Sequence, residues 1–274
     1  MLSFEDDHGT AGDQFQEQCS ALRAAISDGT LGAMSSTPRT ARALARETLT
    51  QEILDAARER LRTDGPSALS LRAVARDVGM VSSAVYRYFP SRDALLTRLL
   101  LDSYGELGDA VEHAEAAVAE DDILGRWLAA CRALRAWCVS HPGDFALLYG
   151  TPIPGYAAPQ DTIEPATRVI LTLVRIVEDA HRAGARPLPP PEGAGPVDDV
   201  VAGARTFVVT RGLLSDDVPA ESVARTLMAW TQLFGTISFE LFGHLTGSVT
   251  DLEAWYDQVA MRLAGDLGIR PARR

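Results

Sequence analysis

Apolar side chains recur at three- and four-residue intervals along most of this chain, which is the spacing that places them on one face of an α-helix. The first clear case predicts a helix from Thr48 to Thr63, with Thr48 and Gln51 forming a capping box at its start and Gly65 ending it. Its apolar positions are Leu49, Ile53, Ala56, Ala57 and Leu61. No stretch alternates apolar and polar residues as a half-buried strand does, so the predicted fold class is all-α.

The same periodicity predicts helices over the rest of the chain. Pro90 cannot continue a helix, and Ser91 directly after it is a good cap for the next one. The predicted helices cover 71–79, 82–88, 92–118, 123–140, 142–149, 163–184, 198–212, 220–244 and 251–266. Loops rich in proline, glycine or aspartate are expected at 151–159, 186–196 and 213–219.

The segment ARDVGMVSSAVYRYF, residues 75–89, has the spacing of a helix-turn-helix. Two short helices can bury each other if a small residue lies at their crossing and the turn accepts a left-handed backbone. Ala75 and Gly79 meet these two requirements, and Val85 would complete the core from the third helix. The spacing by itself also fits an ordinary helical hairpin inside a core.

Charge is distributed unevenly along the chain. The formal net charge is −11 and the sequence pI is about 4.9, which argues against nucleic acid as a partner. Between residues 34 and 98, however, there are eleven arginines and seven carboxylates. A basic segment therefore lies inside an acidic protein, at the predicted helix-turn-helix.

The outer face of this segment is predicted to carry side chains suited to duplex DNA. Arginines fit phosphate or minor-groove contacts, and small side chains at the start of a helix can approach base edges. The candidates are Arg39, Arg42 and Arg46 on an N-terminal arm, and Ser70, Arg72, Ser82, Ser83, Ala84, Tyr86, Arg87 and Arg92 on the helices. The alternative is that these arginines are only solvated.

Several function classes are excluded or lack support. All 26 cationic side chains are arginine, which excludes chemistry that needs a lysine amine. The three cysteines form no CxxC motif, the histidines are scattered, and the acidic pairs lie where they can cap helices, so neither a metal nor a cofactor is expected. The longest apolar run, 227–239, is too short to span a bilayer, and we expect a cytoplasmic protein.

Residues 48–100 resemble the N-terminal DNA-binding domain of the TetR/AcrR family of bacterial transcriptional regulators. The resemblance rests on the Ala75/Gly79 turn, on Tyr86 with Phe89, and on Ser91-Arg92 opening a helix. It implies that the helix beginning near Ser82 enters the major groove and that Tyr86 and Arg92 hold phosphates. Val81 stands where the family usually has serine, and we expect Ser82 to take over as the cap.

The remainder of the chain resembles a regulatory-domain subgroup of that family named for a Trp-His-Gly motif. Trp230 and Gly235 are present, but Phe234 replaces the histidine. Apolar and aromatic residues of several predicted helices could converge on a ligand pocket or simply form a packed core. The candidate ligand residues are Trp127, Cys131, Leu134, Tyr149, Tyr156, Phe207, Trp230 and Phe234.

An apolar stripe on the predicted helix 220–244 suggests a homodimer, since it exceeds what a surface helix needs. Together with the final helix it would form a two-fold helical interface. Its members are Leu227, Leu233, Phe234, Ile237, Leu241 and Leu245. The predicted domains are an N-terminal extension and basic arm (1–47), a helix-turn-helix DNA-binding domain (48–92) and a ligand-binding and dimerisation domain (93–274).

The leading hypothesis is a homodimeric transcriptional regulator, a repressor that leaves a pseudo-palindromic double-stranded DNA operator when a small apolar effector binds. The alternative is a small-molecule-binding helical protein or enzyme in which the N-terminal unit is structural. A third hypothesis is an interaction module that docks another protein through residues 1–33.

Overall fold

The structure is a computed structural model that describes residues 41–271, and every regular element in this range is helical, as predicted. Two single 3₁₀ turns, Pro66–Ala68 and Gln160–Thr162, lie between α-helices. The ten α-helices of the described range are α1 (Ala41–Asp64), α2 (Leu71–Asp77), α3 (Ser82–Val85), α4 (Arg92–Ala116), α5 (Ile123–Ser140), α6 (Pro142–Tyr149), α7 (Ile163–Arg182), α8 (Ala202–Val209), α9 (Ala220–Leu241) and α10 (Leu252–Asp266).

Helix α1 corrects the predicted start at Thr48, which lies in the helix interior. The Thr48 hydroxyl donates to the Leu44 carbonyl oxygen at 3.1 Å, and the Gln51 amide donates to the Asp55 carboxylate at 2.8 Å. A threonine can bond in this way to the carbonyl four residues back, so its presence does not require a helix start. Arg42 and Arg46 therefore lie on a helix and not on an arm.

Residues 1–40 lie outside the described range. They include Arg39 and the 1–33 segment, whose predicted roles the structure does not address.

The N-terminal helices form the predicted helix-turn-helix. Gly79 has φ +66°, a left-handed conformation that L side chains rarely adopt, and Ala75 at the crossing is almost fully buried. Val85 of α3 is completely buried in the same cluster as α1 residues Ile53 and Leu54. The cap of α3 differs from the expectation, because Val81 occupies the N-cap position and Ser82 is the first helical residue.

Helix α4 begins as predicted and connects two hydrophobic clusters. The Ser91 hydroxyl oxygen accepts a hydrogen bond from the Ala94 amide at 3.0 Å, which caps the helix. Leu95 and Leu99 are buried in the N-terminal cluster, and Leu107 and Val111, two to four turns later, are buried in the cluster of the C-terminal helices. One 25-residue helix is thus part of both cores.

The C-terminal helices surround α5, whose Trp127, Cys131 and Leu134 are all buried. The indole nitrogen of Trp127 donates to the carbonyl oxygen of Ala260 in α10 at 2.9 Å, so the buried donor is satisfied. Burying side chains of this size contributes about 1.5–3 kcal/mol each. Within the described residues, no helix combines the length and the apolar content that crossing a membrane requires.

Candidate nucleic-acid interface and apolar cavity

Helix α3 is anchored on one side and open on the other. Val85 and Phe89 hold it against the N-terminal core, while Val81 is 70% exposed and Ser83 and Arg87 are also exposed. Among the other predicted base-reading and phosphate residues, Tyr86 is exposed, and Ser70, Ser82 and Ala84 are half-buried. The short helix therefore presents the Ser83 side chain to solvent and Arg87, two residues after the helix, presents a guanidinium, as insertion into a DNA groove requires.

The arginines of the N-terminal unit divide into two sets. Arg58, Arg60, Arg62 and Arg98 each lie within 4 Å of a carboxylate. A second set is exposed and forms no ion pair with a carboxylate among residues 41–271: Arg42, Arg72, Arg76 and Arg87. The guanidinium groups of the second set are therefore open to an external anion.

Asp77, the carboxylate of α2, is paired with Arg60 of α1. Arg60 donates from Nε and Nη2 to the two oxygens of Asp77, at 2.5 and 2.9 Å. These hydrogen bonds hold the pKa of Asp77 below its ordinary value. The acid that follows Arg76 thus carries little unpaired negative charge toward an approaching polyanion.

Arg92 and Arg46 make contacts within the protein. Arg92, expected to hold a phosphate, donates to the carbonyl oxygens of Leu69, Pro66 and Ser67 at 2.9, 3.1 and 3.2 Å and so fixes the 3₁₀ turn before α2. Arg46 lies 5.3 Å from the ring centre of Tyr88, within the range of a cation–π contact. In Arg92 the hydrogen bonds to the three carbonyl oxygens use Nε and Nη2, and Nη1 takes no part in them.

A cavity of about 180 Å³ lies between α7, α8, α9 and the segment that follows α8. No charged side chain lines it, and its single hydroxyl, that of Thr226, already donates to the Ser222 carbonyl oxygen at 2.7 Å. The lining residues are Ile170, Leu171, Val174, Val177, Ala204, Phe207, Val208, Leu214, Val223, Thr226, Leu227 and Trp230. The surface of the cavity is almost entirely hydrocarbon.

Aromatic rings in contact connect the wall of this cavity to α6 and α4. Trp230 lies edge-on to Phe234, with ring centres 6.0 Å apart, and Phe234 lies 4.3 Å from Tyr149 at the end of α6. Tyr149 in turn contacts Phe145 at 5.6 Å and Tyr104 of α4 at 6.1 Å. We call these five residues the aromatic series.

Helix α6 packs closely on α1. A Cβ atom on Gly143 would lie 2.8 Å from the backbone nitrogen of Arg62, so only glycine allows this approach. Beside it, the buried Asp144 carboxylate accepts a hydrogen bond from Ser103 of α4 at 2.5 Å. Arg58 of α1 donates to Glu106 of α4 at 2.5 Å, and its Nε lies 3.8 Å from Asp144. Helices α1, α4 and α6 are therefore joined by polar contacts as well as by packing.

The exposed apolar side chains of α9 and α10 lie on a different face from the predicted stripe. Leu233, Phe234 and Ile237 are buried in the chain's own core, and Leu227 lines the cavity, so these residues are not available to a second chain. Leu241 and Leu245 are half-buried. The exposed residues are Met228, Phe239, Phe242, Trp255 and Met261, which we call the α9–α10 face.

Family models of known regulators match both the N-terminal and the C-terminal part of the chain. Residues 53–99 match the family model described as bacterial regulatory proteins, tetR family, and residues 127–263 match the one described as Tetracyclin repressor-like, C-terminal domain. A relative, the HTH-type transcriptional regulator Rv1816 of Mycobacterium tuberculosis, is 39% identical over 204 residues, which are 73% of this chain and 83% of that protein. The chain belongs to the TetR family.

Solved structures agree with this TetR-family assignment. The crystal structure of a regulatory protein, SCO4313, has 34% identity and a TM-score of 0.65, covering 84% of this chain and all of that one. The TetR family regulator PfmR from Thermus thermophilus shares the fold, with a TM-score of 0.52 over 81% of this chain and 99% of that one, at 18% identity. The chain is thus a transcriptional regulator with a TetR helix-turn-helix, and not an enzyme.

Two of the eight predicted ligand residues of this TetR-family regulator, Phe207 and Trp230, line the cavity. Trp127, Cys131 and Leu134 do not, because the helices around α5 enclose them completely. Burial raises the pKa of the Cys131 thiol well above its ordinary value, so this side chain stays uncharged and acts in packing.

The remaining three predicted ligand residues also lie elsewhere. Tyr149 and Phe234 pack in the core around α5. Tyr156 packs against the N-terminal cluster, where its hydroxyl lies 2.9 Å from the Thr97 hydroxyl. These three join parts of the protein to one another, and none of them is among the residues that line the cavity.

The α7 side of the cavity was not predicted from the sequence. Ile170, Val174 and Val177 line it, whereas Leu173 and Ile176 of the same helix are buried in the central core. The apolar positions of α7 are thus more numerous than one core requires. This excess of apolar positions was the signal in the sequence that pointed to a second packing surface. A helix with two apolar faces must pack against two neighbours or border a cavity.

The acidic pairs were predicted to cap helices, and Asp122 does so. Its carboxylate accepts a hydrogen bond from the Gly125 amide at 2.9 Å at the start of α5. Asp217 instead lies 3.1 Å from Nε2 of His181. Over residues 41–271 no three His, Cys, Asp or Glu side chains are grouped so as to hold a metal ion.

Proposed function

We propose that this TetR-family regulator is a repressor that binds a pseudo-palindromic operator as a homodimer and leaves it when a small hydrophobic effector enters the cavity. The observation that carries the proposal is the set of four exposed arginines, Arg42 on α1, Arg72 and Arg76 on α2 and Arg87 directly after α3, which form no ion pairs with the described carboxylates. Guanidinium groups in that state bind phosphates, while the partly exposed Ser82 and the exposed Ser83 reach base edges.

The α9–α10 face supplies the second chain's binding surface. Monomeric proteins rarely leave several large apolar side chains exposed together, and here two methionines, a phenylalanine and a tryptophan are exposed on two neighbouring helices, with Phe242 exposed at the C-cap of α9. A two-fold pairing of these helices forms a four-helix interface. To read a pseudo-palindromic operator, the two α3 helices of such a dimer must meet half-sites about 34 Å apart, one turn of the duplex.

The effector acts by changing the separation of the two reading helices. A ligand shifts this equilibrium only if it binds more tightly to the conformation that does not fit the operator. The aromatic series offers the route, since it begins at the cavity wall with Trp230 and ends on α6 and α4, which pack against α1. A shift of Trp230 on ligand binding therefore moves helices that position the DNA-binding unit.

Fluorescence anisotropy with a duplex from the upstream region of this protein's own gene tests the proposal, with a shuffled duplex of equal composition as the control. We expect the upstream duplex to bind at least about 10³-fold more tightly at physiological salt, with two chains per duplex. Equal affinity for the two duplexes, with the dimer intact, would contradict sequence-specific regulation.

A further inference from the structure

The chemistry of the cavity wall restricts the class of effector. Eleven of its twelve lining residues are hydrocarbon or aromatic, and the hydroxyl of the twelfth, Thr226, is already used within α9. Transferring an ionised carboxylate into such a space without a partner is so costly that the group would instead take up a proton or stay outside. The ligand part that enters is therefore uncharged.

Arg211 contacts the cavity wall from outside the lining. The Arg211 guanidinium carbon lies 3.7 Å from the ring centre of Phe207, and Nη1 donates to the Phe207 carbonyl oxygen at 3.1 Å. Arg211 is exposed and is not among the lining residues. It covers one face of a ring in the cavity wall and is not itself part of the lining.

The volume of the cavity limits the size of the ligand part that it can hold. An apolar cavity of roughly 150 Å³ lined by Leu, Ile and Phe accommodates benzene. The cavity of about 180 Å³ found here is slightly larger, and well below the roughly 300–1,000 Å³ of pockets for drug-sized ligands. A single ring with a short substituent matches this volume, whereas a long acyl chain exceeds it.

One lining residue retains an unused donor. The indole N–H of Trp230 donates to none of the described residues and Trp230 is half-buried, so this donor is open to a ligand oxygen or to solvent. A tryptophan in a binding pocket commonly combines an apolar ring with one hydrogen bond of this kind. The lining residues thus combine a large apolar surface with one side-chain donor that is not already used within the protein.

We propose that the effector is a compact, uncharged, largely hydrocarbon molecule, the size of a monocyclic aromatic compound with a short side chain, carrying one hydrogen-bond acceptor. This inference rests on the proposed function only in calling the ligand an effector. Binding to the cavity is a separate property that can be measured without DNA.

Calorimetric titration of the full chain with three probes tests it: acetophenone, benzoate and palmitate. Acetophenone and benzoate have the same number of non-hydrogen atoms but differ in charge, while palmitate tests the long chain. We expect acetophenone to bind one per chain and at least tenfold more tightly than either carboxylate. Equal or tighter binding of benzoate or palmitate, or no binding of acetophenone, overturns the proposal.

A matched pair of variants locates the binding. Ala204 lines the cavity, while Ala202, two residues earlier in α8, is exposed. Ala204→Leu should weaken acetophenone at least tenfold, and Ala202→Leu should bind as the unchanged protein does. If the leucine variant fails to fold, Ala204→Val takes its place. Unchanged acetophenone binding in a folded Ala204 variant overturns the assignment of the binding site to this cavity.

The operator titration separates the two proposals. Tight acetophenone binding without an effect on operator affinity would support the ligand class and contradict effector-driven release. Conversely, specific operator binding without acetophenone binding would support the DNA-binding part of the proposed function and contradict the proposed ligand class.

Discussion

Arginine acts in three ways within the N-terminal unit, and the neighbours of each side chain decide which. Arg60 is bound by Asp77 and Asp64, Arg92 donates to three backbone carbonyl oxygens, and Arg87 forms no ion pair with a carboxylate among the described residues. An exposed ion pair contributes little to stability but cancels charge. Arginines of the third kind are therefore the ones expected to account for phosphate binding.

Replacement of Arg72 should weaken binding to every duplex, whatever its sequence. Arg72→Ala removes one unpaired cation, so the slope of log K against log salt should decrease by about one per chain. Arg62→Ala is the matched control, since Arg62 is an exposed arginine already bound to Glu59 at 2.5 Å. Anisotropy titrations over a range of salt measure both, and equal effects of the two changes would contradict the division between paired and unpaired arginines.

Replacement of Arg92 should act mainly by lowering the stability of the folded protein. Arg92→Ala leaves the carbonyl oxygens of Ser67 and Leu69 without their donor and that of Pro66 with the Leu69 amide alone, which should lower the free energy of unfolding by about 1–3 kcal/mol. Urea unfolding followed by circular dichroism measures this. A variant that loses operator affinity while keeping its full stability would restore the role first expected for Arg92, a phosphate contact.

At the scale of elements, α6 belongs to both halves of the protein. Phe145 is buried with the helices around α5, while Leu147 is buried in the cluster of the DNA-binding helices. Gly143 brings the same helix against the α1 backbone. A short helix shared by two cores cannot shift in one without disturbing the other, because packed interiors leave few voids.

Phe234→Leu should uncouple the cavity from the operator while leaving both binding activities in place. The leucine retains most of the apolar volume but removes the ring between Trp230 and Tyr149. We expect the operator Kd without effector to change less than threefold, roughly, and the effect of bound effector on that Kd, in the range of about 5–150-fold for typical allostery, to be largely lost.

Leu233→Val is the control for this experiment. Leu233 is the adjacent residue of α9 and is fully buried, but it is not one of the five aromatic residues. Anisotropy titrations with and without effector compare the variants. Loss of the effector response in both would show that packing in general, and not the aromatic series, carries the coupling.

At the scale of the whole molecule, charge and apolar surface are separated. The chain carries a net charge of −11, although its 34–98 segment has four more arginines than carboxylates. An acidic body limits non-specific attraction to DNA, so the reading surface is the basic part that a duplex meets. The α9–α10 face is apolar instead and is suited to a second copy of the chain.

Charges placed on the α9–α10 face should separate the dimer. Met228→Glu combined with Phe239→Glu puts four carboxylates into a two-fold interface, so sedimentation equilibrium should give the monomer mass of 29.5 kDa. Operator affinity should fall at least about 100-fold, because each chain then binds a single half-site.

Val200→Glu is the matched control for charge, since Val200 is 80% exposed and lies before α8, outside this face. It should leave both the mass and the operator affinity unchanged. A double variant that remains a dimer would place the interface elsewhere.

Local signals were sufficient to predict nearly all of the helices and the turn at Gly79. Helical periodicity, the Ser91 cap and the Ala75–Gly79 spacing involve residues within a few positions of one another, so the chain reveals them without knowledge of the fold. Thr48 marks the limit of such signals. Its hydroxyl can satisfy a group at a helix start or inside a helix, and only the neighbouring backbone shows which.

The partners of each side chain were decided by tertiary contacts. Arg60 meets Asp77 across 17 positions and Arg92 meets Leu69 across 23, and nothing local distinguishes these arginines from Arg87. On α9, likewise, Leu233 lies in the core, Trp230 at the cavity and Phe239 on the exposed face. Apolar periodicity records that a helix has neighbours, but which neighbour covers which side chain depends on how distant helices pack together.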